Sequence, residues 1–430
     1  MKAFCKSVVV KILSYEAKVL LNRHKPTIVC VTGNVGKTTT KDAIYSAIKN
    51  SVSARKSEKS FNSEIGVPIT VLGLHNAWGN PLLWIKNILD GFFIAFFSKE
   101  YPAVLVLEMG IDRPGDMERL SRWIRPDVVV LTRLPSVPVH VEYFQTPEAV
   151  ITEKMKLVSA LKVDGTLVYN HDDMLIQQQL GDVLQRSLGF SRYIETDYMA
   201  TDDAVIYSDD VAVGMQCTIT HAGESIPLQI SGTVGTQHAY ACAAAVAVAD
   251  VLGISLEEAV TSLKDLRTPN GRARLIPGIK STMIIDDTYN SSPTACELAL
   301  QTLSEMKHAK RKIAVLGDML ELGRFSSEEH EKIGALVARS ADMLLTVGVR
   351  ARKIAEGALN MGMPEDNILQ YDDSAQAGRE LQALLQYGDV VLVKASQGIR
   401  AERIVEEVMA DPNHASELLV RQDDEWIIRK

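Results

Sequence analysis

The sequence predicts an α/β protein in two parts: a central domain with a mostly parallel sheet and a smaller Rossmann-like C-terminal domain. Short β-rich apolar runs alternate with helical stretches, a pattern typical of sheets that are buried on both faces. The alternation restarts after a cluster of Pro, Asn and Gly at 267–278. The chain of 430 residues is also too long for one hydrophobic core.

The first part begins with predicted strands at 27–31, 103–110 and 127–132, with helices between them. Residues 165–235 have a denser β pattern. The stretch "QHAYACAAAVAVADVLG" (237–253) predicts a buried helix, and a second helix follows from "SLEEAVTSLKDL".

The second part contains four further predicted strands, in "TMIIDDTYN", "KIAVLGDM", "MLLTVG" and "DVVLVKAS". Helical stretches separate them, as in a doubly wound domain. The expected organisation is an N-terminal amphipathic helix (1–25), a central domain (26–267) and a C-terminal domain (268–430).

Composition excludes several classes of protein. The net charge of -8 argues against a nucleic-acid binder, which would need a basic face. The five cysteines are scattered and form no C-x-x-C motif, so neither a zinc site nor a disulfide framework is indicated. A reducing, cytoplasmic location is therefore expected, and we expect a monomer.

The N-terminal stretch "MKAFCKSVVVKILSYEAKVLLNRHKP" predicts an amphipathic helix with Lys2, Lys6, Lys11 and Lys18 on its wetter side. Lys11 interrupts the apolar run and no cleavage motif follows, so a signal peptide is not indicated. We favour a helix packed on the body of the protein, with a membrane-surface contact as the alternative. The apolar stretch 82–97 also needs to be distinguished from a membrane-spanning helix. Lys86 and Asp90 interrupt it, so we favour a buried or interfacial helix.

The segment "TGNVGKTTT" (32–40) lies between a predicted strand and a predicted helix, the position of a phosphate-binding P-loop. Backbone N–H groups and the helix dipole would face an anion there. Lys37 would meet the β/γ-phosphates of a nucleotide and the Thr38 hydroxyl would help to hold Mg²⁺. The alternative is a glycine-rich turn with an incidental lysine.

A carboxylate follows the next strand. Glu108 stands at the predicted C-terminal end of 103–110. Ligands of doubly wound sheets bind at that edge, so Glu108 is a candidate site residue, with a purely structural role as the alternative.

Taken together, these segments resemble the Mur ligase family, whose loop also lacks the first glycine of the common P-loop pattern. The resemblance covers about residues 26–410 and rests on segments in the family's order. The matching segments are "TGNVGKTTT", "FNSEIGVP" (61–68), "LEMGIDRPGDM", "VHVEYF" (139–144), "ITEKMKLV" (151–158), "NGRARLI", "IIDDTYNSSP", "GDMLELG" (317–323) and "VLVKAS".

The resemblance implies an ATP-dependent amide ligase that forms an acyl phosphate, which an incoming amine attacks. The last-domain segments favour the branch of the family that adds D-Ala-D-Ala to a UDP-MurNAc-tripeptide. Another carboxylate substrate, such as a different wall polymer, polyglutamate or a folate, is the alternative. A regulatory or scaffold protein that has lost ligase activity is the alternative from another class.

The resemblance also implies roles for single residues. The nucleotide would contact the loop residues, and Thr38, Glu108, His140 and Lys154 would hold two Mg²⁺ ions. Lys154 would do so as a carbamate, because an ammonium group cannot bind Mg²⁺. Lys156 is the competing choice, and spacing from His140 favours Lys154. The residues implied for the nucleotide are Thr32, Gly33, Asn34, Val35, Gly36, Lys37, Thr38, Thr39, Arg272, Asp287 and Asn290, with Lys37, Glu108, His140 and Lys154 as catalytic residues.

Four further residues are implied on the substrate side: Asn62, Glu64, Lys394 and Ser396. Domain closure should assemble the site.

The sequence departs from the family in three places. "GTQHAYA" lacks an asparagine expected near the base, since Gln237, His238 and Ala241 stand there. "TRLPSVPVH" is longer than the usual loop before His140. Only about 25 residues precede the first strand, where the family has a domain that binds the UDP end of the donor. We therefore expect that the donor is held elsewhere, that a separate chain supplies this domain, or that the substrate differs.

Overall fold

A computed structural model of the protein describes residues 3–58, 61–423 and 426. The described residues form two mostly parallel sheets with helices on their faces, so the predicted α/β class is confirmed. The first sheet has nine strands and the second has six.

The elements of the first part begin with a long N-terminal helix and end with two helices that follow a hairpin. They are α1 (Ala3–His24), β1 (Thr27–Thr32), α2 (Lys37–Ile48), β2 (Ala54–Lys56), α3 (Gly66–Leu72), α4 (Pro81–Phe97), β3 (Val104–Glu108), α5 (Asp116–Ser121), β4 (Val128–Leu131), α6 (Pro147–Ser159), β5 (Thr166–Asn170), α7 (Met174–Gln179), β6 (Arg186–Ser191), β7 (Tyr198–Ser208), β8 (Val211–His221), β9 (Glu224–Ser231), α8 (Thr236–Val251) and α9 (Leu256–Leu263).

The first sheet has the order β2-β3-β1-β4-β5-β6-β7-β8-β9. Strands β2 to β7 pair in parallel, and β7, β8 and β9 form an antiparallel meander. β1 lies between β3 and β4, and Val31 pairs with Glu108 in register. The loops after β1, β3 and β4 therefore meet at one edge, where ligands bind in such sheets.

The second part consists of strands that alternate with helices. Its elements are β10 (Arg274–Gly278), β11 (Thr282–Asp286), α10 (Pro293–Glu305), β12 (Arg311–Gly317), α11 (Ser326–Ser340), β13 (Met343–Val347), α12 (Arg352–Asn360), β14 (Ile368–Tyr371), α13 (Ser374–Leu384), β15 (Asp389–Lys394), α14 (Glu402–Val408) and α15 (Ala415–Leu418). The sheet order is β10-β11-β15-β12-β13-β14, and only the β10–β11 pair among these is antiparallel.

Three strands of the structure were not predicted. β2 and β14 are short edge strands with polar residues, and they lack the continuous apolar run of a buried strand. β10 lies inside the Pro- and Gly-containing stretch 267–278, whose composition indicates a loop.

Backbone hydrogen bonds join the two sheets where the first part ends. Val234 N–H donates to the carbonyl of Ala273 at 3.1 Å, and Leu275 N–H donates to the carbonyl of Gly232 at 3.0 Å. The segment after β9 thus pairs with the start of β10, which fixes the two sheets to each other at this point.

Helix α8 is buried along nearly its whole length between the first sheet and α2. Its interior residues are mostly Ala and Val, and small side chains let two helices approach closely. The predicted buried helix at 237–253 therefore packs against α2, the helix that follows the loop at 32–36.

Helix α1 packs against α3 and α4 through a buried stripe of Val9, Leu13, Ala17, Leu20 and Leu21. Lys6, Lys11 and Lys18 are exposed, as the amphipathic pattern predicts, and Lys2 lies outside the described residues. Within the described part of the chain, no helix has the length and apolar character needed to cross a bilayer.

Candidate active site

The loop between β1 and α2 has a backbone shape that requires glycine at two positions. Gly36, with φ of 85°, immediately precedes α2, and Gly33 has φ of 140°. A Cβ atom on Gly33 would approach Oγ1 of Thr132 to 2.1 Å. Residues with a side chain rarely adopt such φ values, and the space beside Gly33 is already filled. Glycine is therefore the residue that fits both positions of the loop.

Lys37 is the first residue of α2, and its Nζ lies 3.4 Å from the carbonyl of Asn34. Loss of hydration lowers the pKa of Lys37, and the nearby charge of Glu108 opposes that shift, while Arg272 adds to it. Thr38 and Thr39 follow in the buried first turn. A poorly hydrated cation at a helix N-terminus is an arrangement suited to phosphate.

Polar groups of the loop itself remain unpaired. Within the described residues, Thr32 Oγ1 and Asn34 Oδ1 are buried without a hydrogen-bond partner. The Asn34 N–H donates to the carbonyl of Arg133 at 2.7 Å, which ties the loop to the end of β4, and Val35 is half-buried. Buried polar atoms normally have partners, so these two point to a missing ligand.

Glu108 ends β3 beside the loop and is only 1% exposed. Its Oε1 accepts a hydrogen bond from Nδ2 of Asn62 at 3.1 Å, and its backbone N–H donates to Oγ of Ser57 at 3.1 Å. Among the described residues nothing pairs with its second oxygen, Oε2. Burying a carboxylate oxygen without a partner is costly, so an external cation would stabilise it.

Lys154, on α6, is 1% exposed, and its Nζ donates to the carbonyl of Gly33 at 3.0 Å. Burial holds the pKa of Lys154 well below its usual range, and the charge of Lys37 lowers it further against the effects of Asp112 and Glu108. Lys156 instead pairs with Glu153 at 2.8 Å and Glu118 at 3.4 Å on the outer side of the helix. Of the two lysines, only Lys154 reaches the loop.

The loop edge thus gathers Lys37, Glu108 and Lys154 within electrostatic range of one another. The described residues contain no group of three or more His, Cys, Asp or Glu that could hold a metal. A cation at this edge would rely on the Glu108 oxygen, a hydroxyl, phosphate oxygens and water, which is the ligand set that Mg²⁺ prefers. The residues present therefore fit Mg²⁺.

A cleft of about 1080 Å³ opens between the two parts of the chain. Of the predicted site residues, Asn62, Glu64, His140, Asn290 and Ser396 line it. Glu64 pairs with Arg119 at the rim.

His140 lies in the cleft with φ of 73°, an unusual conformation for a residue other than glycine. Its Nδ1 is 2.6 Å from Oε2 of Glu321, and its Nε2 is 3.7 Å from Oδ1 of Asp112. The neighbouring imidazole lowers the pKa of Glu321. His140 thus contacts the second part of the chain across the cleft, and its neighbour Asp112 also acts electrostatically on Lys37 and Lys154.

Asp287 and Lys394 form a buried ion pair at 2.7 Å. Lys394 also donates to the carbonyl of Asn290 at 2.9 Å, so it fixes the loop after β11. Oγ of Ser396 accepts from the N–H of Leu320 at 2.9 Å. These four predicted residues are brought together by the ends of β11 and β15, which pair in parallel.

Arg272 lies at the junction of the sheets, with its guanidinium 4.1 Å from the ring centre of Tyr289. Its Nε has no hydrogen-bond partner among the described residues. Nε2 of His238 lies 3.2 Å from the carbonyl of Arg272 and 2.8 Å from Oγ1 of Thr233. Burial lowers the pKa of His238 to about 4, so it is neutral and acts as a fixed support for the Arg272 backbone.

Several charged cleft residues had no role assigned from the sequence: Lys6, Asp112, Arg113, Arg119, Glu321, Arg400 and Arg403. Glu321 and Arg113 lie inside segments that resemble the family, "GDMLELG" and "LEMGIDRPGDM". The sequence therefore indicated that these segments matter, but it did not indicate a role for either residue. Lys6 and Arg403 carry no such signal, because only the fold brings them to the cleft.

The fold and the loop define a class: an α/β nucleotide-binding protein whose phosphate loop opens into a cleft shared with a second, Rossmann-like sheet. The Mur ligase middle domain matches residues 91–249, and the Mur ligase glutamate ligase domain matches residues 271–397. The UDP-N-acetylmuramoyl-tripeptide--D-alanyl-D-alanine ligase of Bacillus subtilis is 30% identical over 401 residues, which cover 93% of this chain and 79% of that relative. The chain belongs to the Mur ligase family.

Other relatives agree. The ligase of the same name from Mycobacterium leprae is 28% identical and covers 90% of this chain and 74% of that relative. The MurF ligase of Thermotoga maritima, solved in complex with ADP, has a TM-score of 0.74 and 26% identity over 93% of this chain and 83% of that chain. MurF of Acinetobacter baumannii, at 20% identity and a TM-score of 0.75 over 94% of this chain and 80% of that chain, shares the fold.

Proposed function

We propose that this protein is an ATP-dependent ligase that adds D-Ala-D-Ala to a UDP-MurNAc-tripeptide-type precursor of the cell wall. The family and the names of the relatives support the reaction. The observation that carries it in the geometry is the loop edge, where Lys37 and Lys154 lie within electrostatic range of Glu108, whose Oε2 is buried without a hydrogen-bond partner among the described residues.

In the first step, a carboxylate oxygen of the donor forms a bond to the γ-phosphorus of ATP, and the bond to the ADP oxygen breaks. Both reactants are anionic, so cations must offset their repulsion and the charge that develops during transfer. We assign Lys37 to the β/γ-phosphates, and Arg272 lies close enough for its charge to lower the pKa of Lys37. The loop amides would hold the phosphates in line.

In the second step, the amine of D-Ala-D-Ala attacks the acyl carbon, the amide bond forms and phosphate leaves with its electron pair. The attacking amine must be neutral, and the proton that it loses passes to phosphate or water. We assign Lys394 and Ser396 to the acceptor side, because they lie close together at the end of β15 beside the loop that follows β11.

We assign Mg²⁺ to Thr38 and Glu108, with a second ion on the side of His140 and Lys154. Bound Mg²⁺ would polarise the phosphate oxygens. A carbamate on Lys154 would present oxygen to that ion. The buried position of the amine against the carbonyl of Gly33 supports this assignment, because burial lowers the pKa of Lys154 and so favours the free amine, the form that reacts with CO₂.

Arg272, Asp287 and Asn290 are assigned to the nucleotide. The bare Nε of Arg272 supports a phosphate contact, and His238 holds that residue's backbone from the position where the family has asparagine. Asp287 is already paired with Lys394, so its contact with a ribose would require that pair to rearrange.

The donor's anionic end would meet the basic side chains among the mixed charges of the cleft lining, such as Lys6, Arg113 and Arg403. A separate chain that binds the UDP group is the alternative arrangement. We assign the reaction to a monomer in the cytoplasm, which agrees with the four free, buried cysteines among the described residues.

The test is an ADP-release assay with a panel of carboxylates, each with and without D-Ala-D-Ala and with Mg²⁺ or a chelator. Turnover should need Mg²⁺, the UDP-MurNAc-tripeptide and the dipeptide together. Turnover that is independent of the amine, or a response only to glutamate-chain or folate carboxylates, would contradict the proposed substrates. The Lys49→Ala variant, on an exposed lysine at the other end of α2, is the matched control for loop variants.

A further inference from the structure

Helix α4 has an unusual distribution of side chains. The residues that it buries are Trp84, Asn87, Gly91 and Ala95, of which only Trp84 is a large apolar side chain. Ile88 and Ile94 are partly buried, and the remaining large apolar side chains are exposed: Leu82, Leu83, Ile85, Leu89, Phe92, Phe93, Phe96 and Phe97. A helix that packs only on the body of a protein buries its large apolar residues. We call this exposed set the apolar face.

The apolar face is continuous. Leu89 is 55% exposed and Phe93 is 60% exposed, one helical turn apart. The ring centres of Phe92 and Phe96 are 4.8 Å apart, and those of Phe93 and Phe97 are 6.1 Å apart, so four phenylalanines form one cluster at the surface. Contiguous apolar surface of this kind marks an interaction site.

Helix α1 lies along α4 in the same direction. The side chain of Glu16 packs against Gly91, where a Cβ atom would meet its Oε2 at 2.3 Å. One end of the contact is Arg23, whose Nη1 is 3.4 Å from the carbonyl of Ala95. The α1 side chains Val8 and Tyr15 add exposed apolar area. The apolar face is therefore held on a fixed support and does not belong to a loose segment.

Positive charge borders this surface. Residues 3–25 carry five cations, and their one acidic residue, Glu16, is buried. On α4 itself, Lys86 and Asp90 pair at 2.6 Å and cancel. The basic rim consists of Lys6, Lys11, Lys18, Arg23, Lys25 and Lys99, all exposed. Since the whole chain has a net charge of -8, this concentration of cations is local.

We propose that α4 and α1 dock the protein on an anionic lipid bilayer, with α4 lying in the plane of the interface. The apolar face would enter the headgroup–acyl boundary, and the basic rim would meet the anionic headgroups. A second copy of this chain fits less well, because a symmetric contact would bring two identical basic rims together. At about 1.5 Å per residue, α4 is long enough to lie in an interface but too short to span one.

Docking in this orientation has a consequence for the cleft. Lys6 belongs both to the basic rim and to the lining of the cleft. The cleft would therefore open close to the headgroups.

The test uses the full chain in co-sedimentation with vesicles of neutral lipid and of neutral lipid with about 30 mol% anionic phospholipid. The protein should bind the anionic vesicles, and raising salt from about 0.1 M to about 0.5 M should weaken that binding. The double variant Leu89→Glu, Phe93→Glu should lose about tenfold or more in affinity, because it places two charges on the inserted face.

Controls use residues that are equally exposed elsewhere. Val163→Glu and Leu184→Glu change apolar side chains that are 95% exposed, and they should leave vesicle binding unchanged. Lys11→Glu should weaken binding to anionic vesicles more than Lys307→Glu does, because Lys307 is exposed on another surface. ADP release without vesicles should be the same for all of these variants.

Failure to bind any vesicle, or undiminished binding by the α4 double variant, would overturn the proposal. So would a dimer of the parent chain that light scattering finds abolished by Leu89→Glu, Phe93→Glu, since a second copy would then cover the face. None of these outcomes depends on the identity of the ligase substrates, which the ADP-release assay tests separately.

Discussion

The loop edge and the cleft hold their charged groups in opposite ways. At the loop edge, Lys37, Lys154 and Glu108 are poorly hydrated, and Glu108 Oε2 lacks a partner among the described residues. In the cleft, His140 faces Glu321 and Asp287 pairs with Lys394. Unpaired buried charge is costly, whereas paired charge is already compensated. The difference indicates that the loop edge is built for a ligand that brings charge, while the His140–Glu321 contact joins the two parts of the chain and the Asp287–Lys394 pair fixes the second part internally.

The largest effect should come from Lys37→Ala. This variant removes the cation that we assign to the phosphates, so turnover should fall by about 10³-fold or more. Steady-state ADP release measures the loss, and the exposed Lys49→Ala should remain within about twofold of the parent. Equal losses in the two variants would show that charge at the loop edge has no special role.

Lys154→Ala should reduce turnover by about 10²-fold, because a buried group next to the phosphates is lost. If a carbamate acts there, short carboxylic acids added to the assay should restore part of the activity. The matched control is Lys156→Ala, which lies two residues away on the outer side of α6. Should the control lose activity and respond to the acids instead, the assignment would move to Lys156.

Glu321→Gln tests a paired group of the cleft. The change weakens the contact with His140 but leaves the loop edge intact, so KM for the donor should rise by about three- to tenfold with little change in kcat. Glu365→Gln, at an exposed position, is the control. A fall in kcat as large as that of Lys37→Ala would erase the distinction between the two regions.

The smallest effect concerns Glu16, a buried residue of α1 whose Oε2 has no hydrogen-bond partner among the described residues. Burial raises the pKa of Glu16 to about 7 from its ordinary value of 4.5. The folded state therefore holds the proton more tightly than the unfolded state, and stability declines as pH rises between these two values.

Glu16→Gln should raise the free energy of unfolding by about 1 kcal/mol at pH 8, where it removes a buried charge, and by less at pH 5, where Glu16 holds its proton in the folded state. The effect at pH 8 is modest because partial hydration of the site reduces the cost of the charge. Denaturant titration at both pH values measures it, with the exposed Glu100→Gln as the control. A gain that does not depend on pH would mean that Glu16 is neutral across this range.

Much of the fold followed from the sequence because its signals are local. The apolar runs at 27–31 and 127–132 are strands of the sheet interior, and the loop motif lies where a strand meets a helix. The edge strands β2 and β14 were missed, since a half-exposed strand needs no apolar run. At the site, the motifs predicted Glu108 and Lys154, but the contact of His140 with Glu321 joins residues 181 positions apart that only the fold can bring together.

The apolar stretch 82–97 shows the limit of composition. Its apolar residues predicted a buried or interfacial helix, but which side chains face outward depends on Gly91 and its contact with Glu16. Periodicity gives the faces of a helix, and the neighbouring helix decides which face is covered.

The hydrogen bonds between the segment after β9 and the start of β10 determine how the molecule can move. The backbone hydrogen bonds of Val234 and Leu275, next to Arg272 in the chain, form a fixed junction between the two sheets. A rotation that parts the two sheets would turn about this junction, so atoms beside it would move least and those at Glu321, which contacts His140 across the cleft, would move more. Separation of the two parts near Glu321 would then admit the donor and release the product, while contacts beside the junction change little.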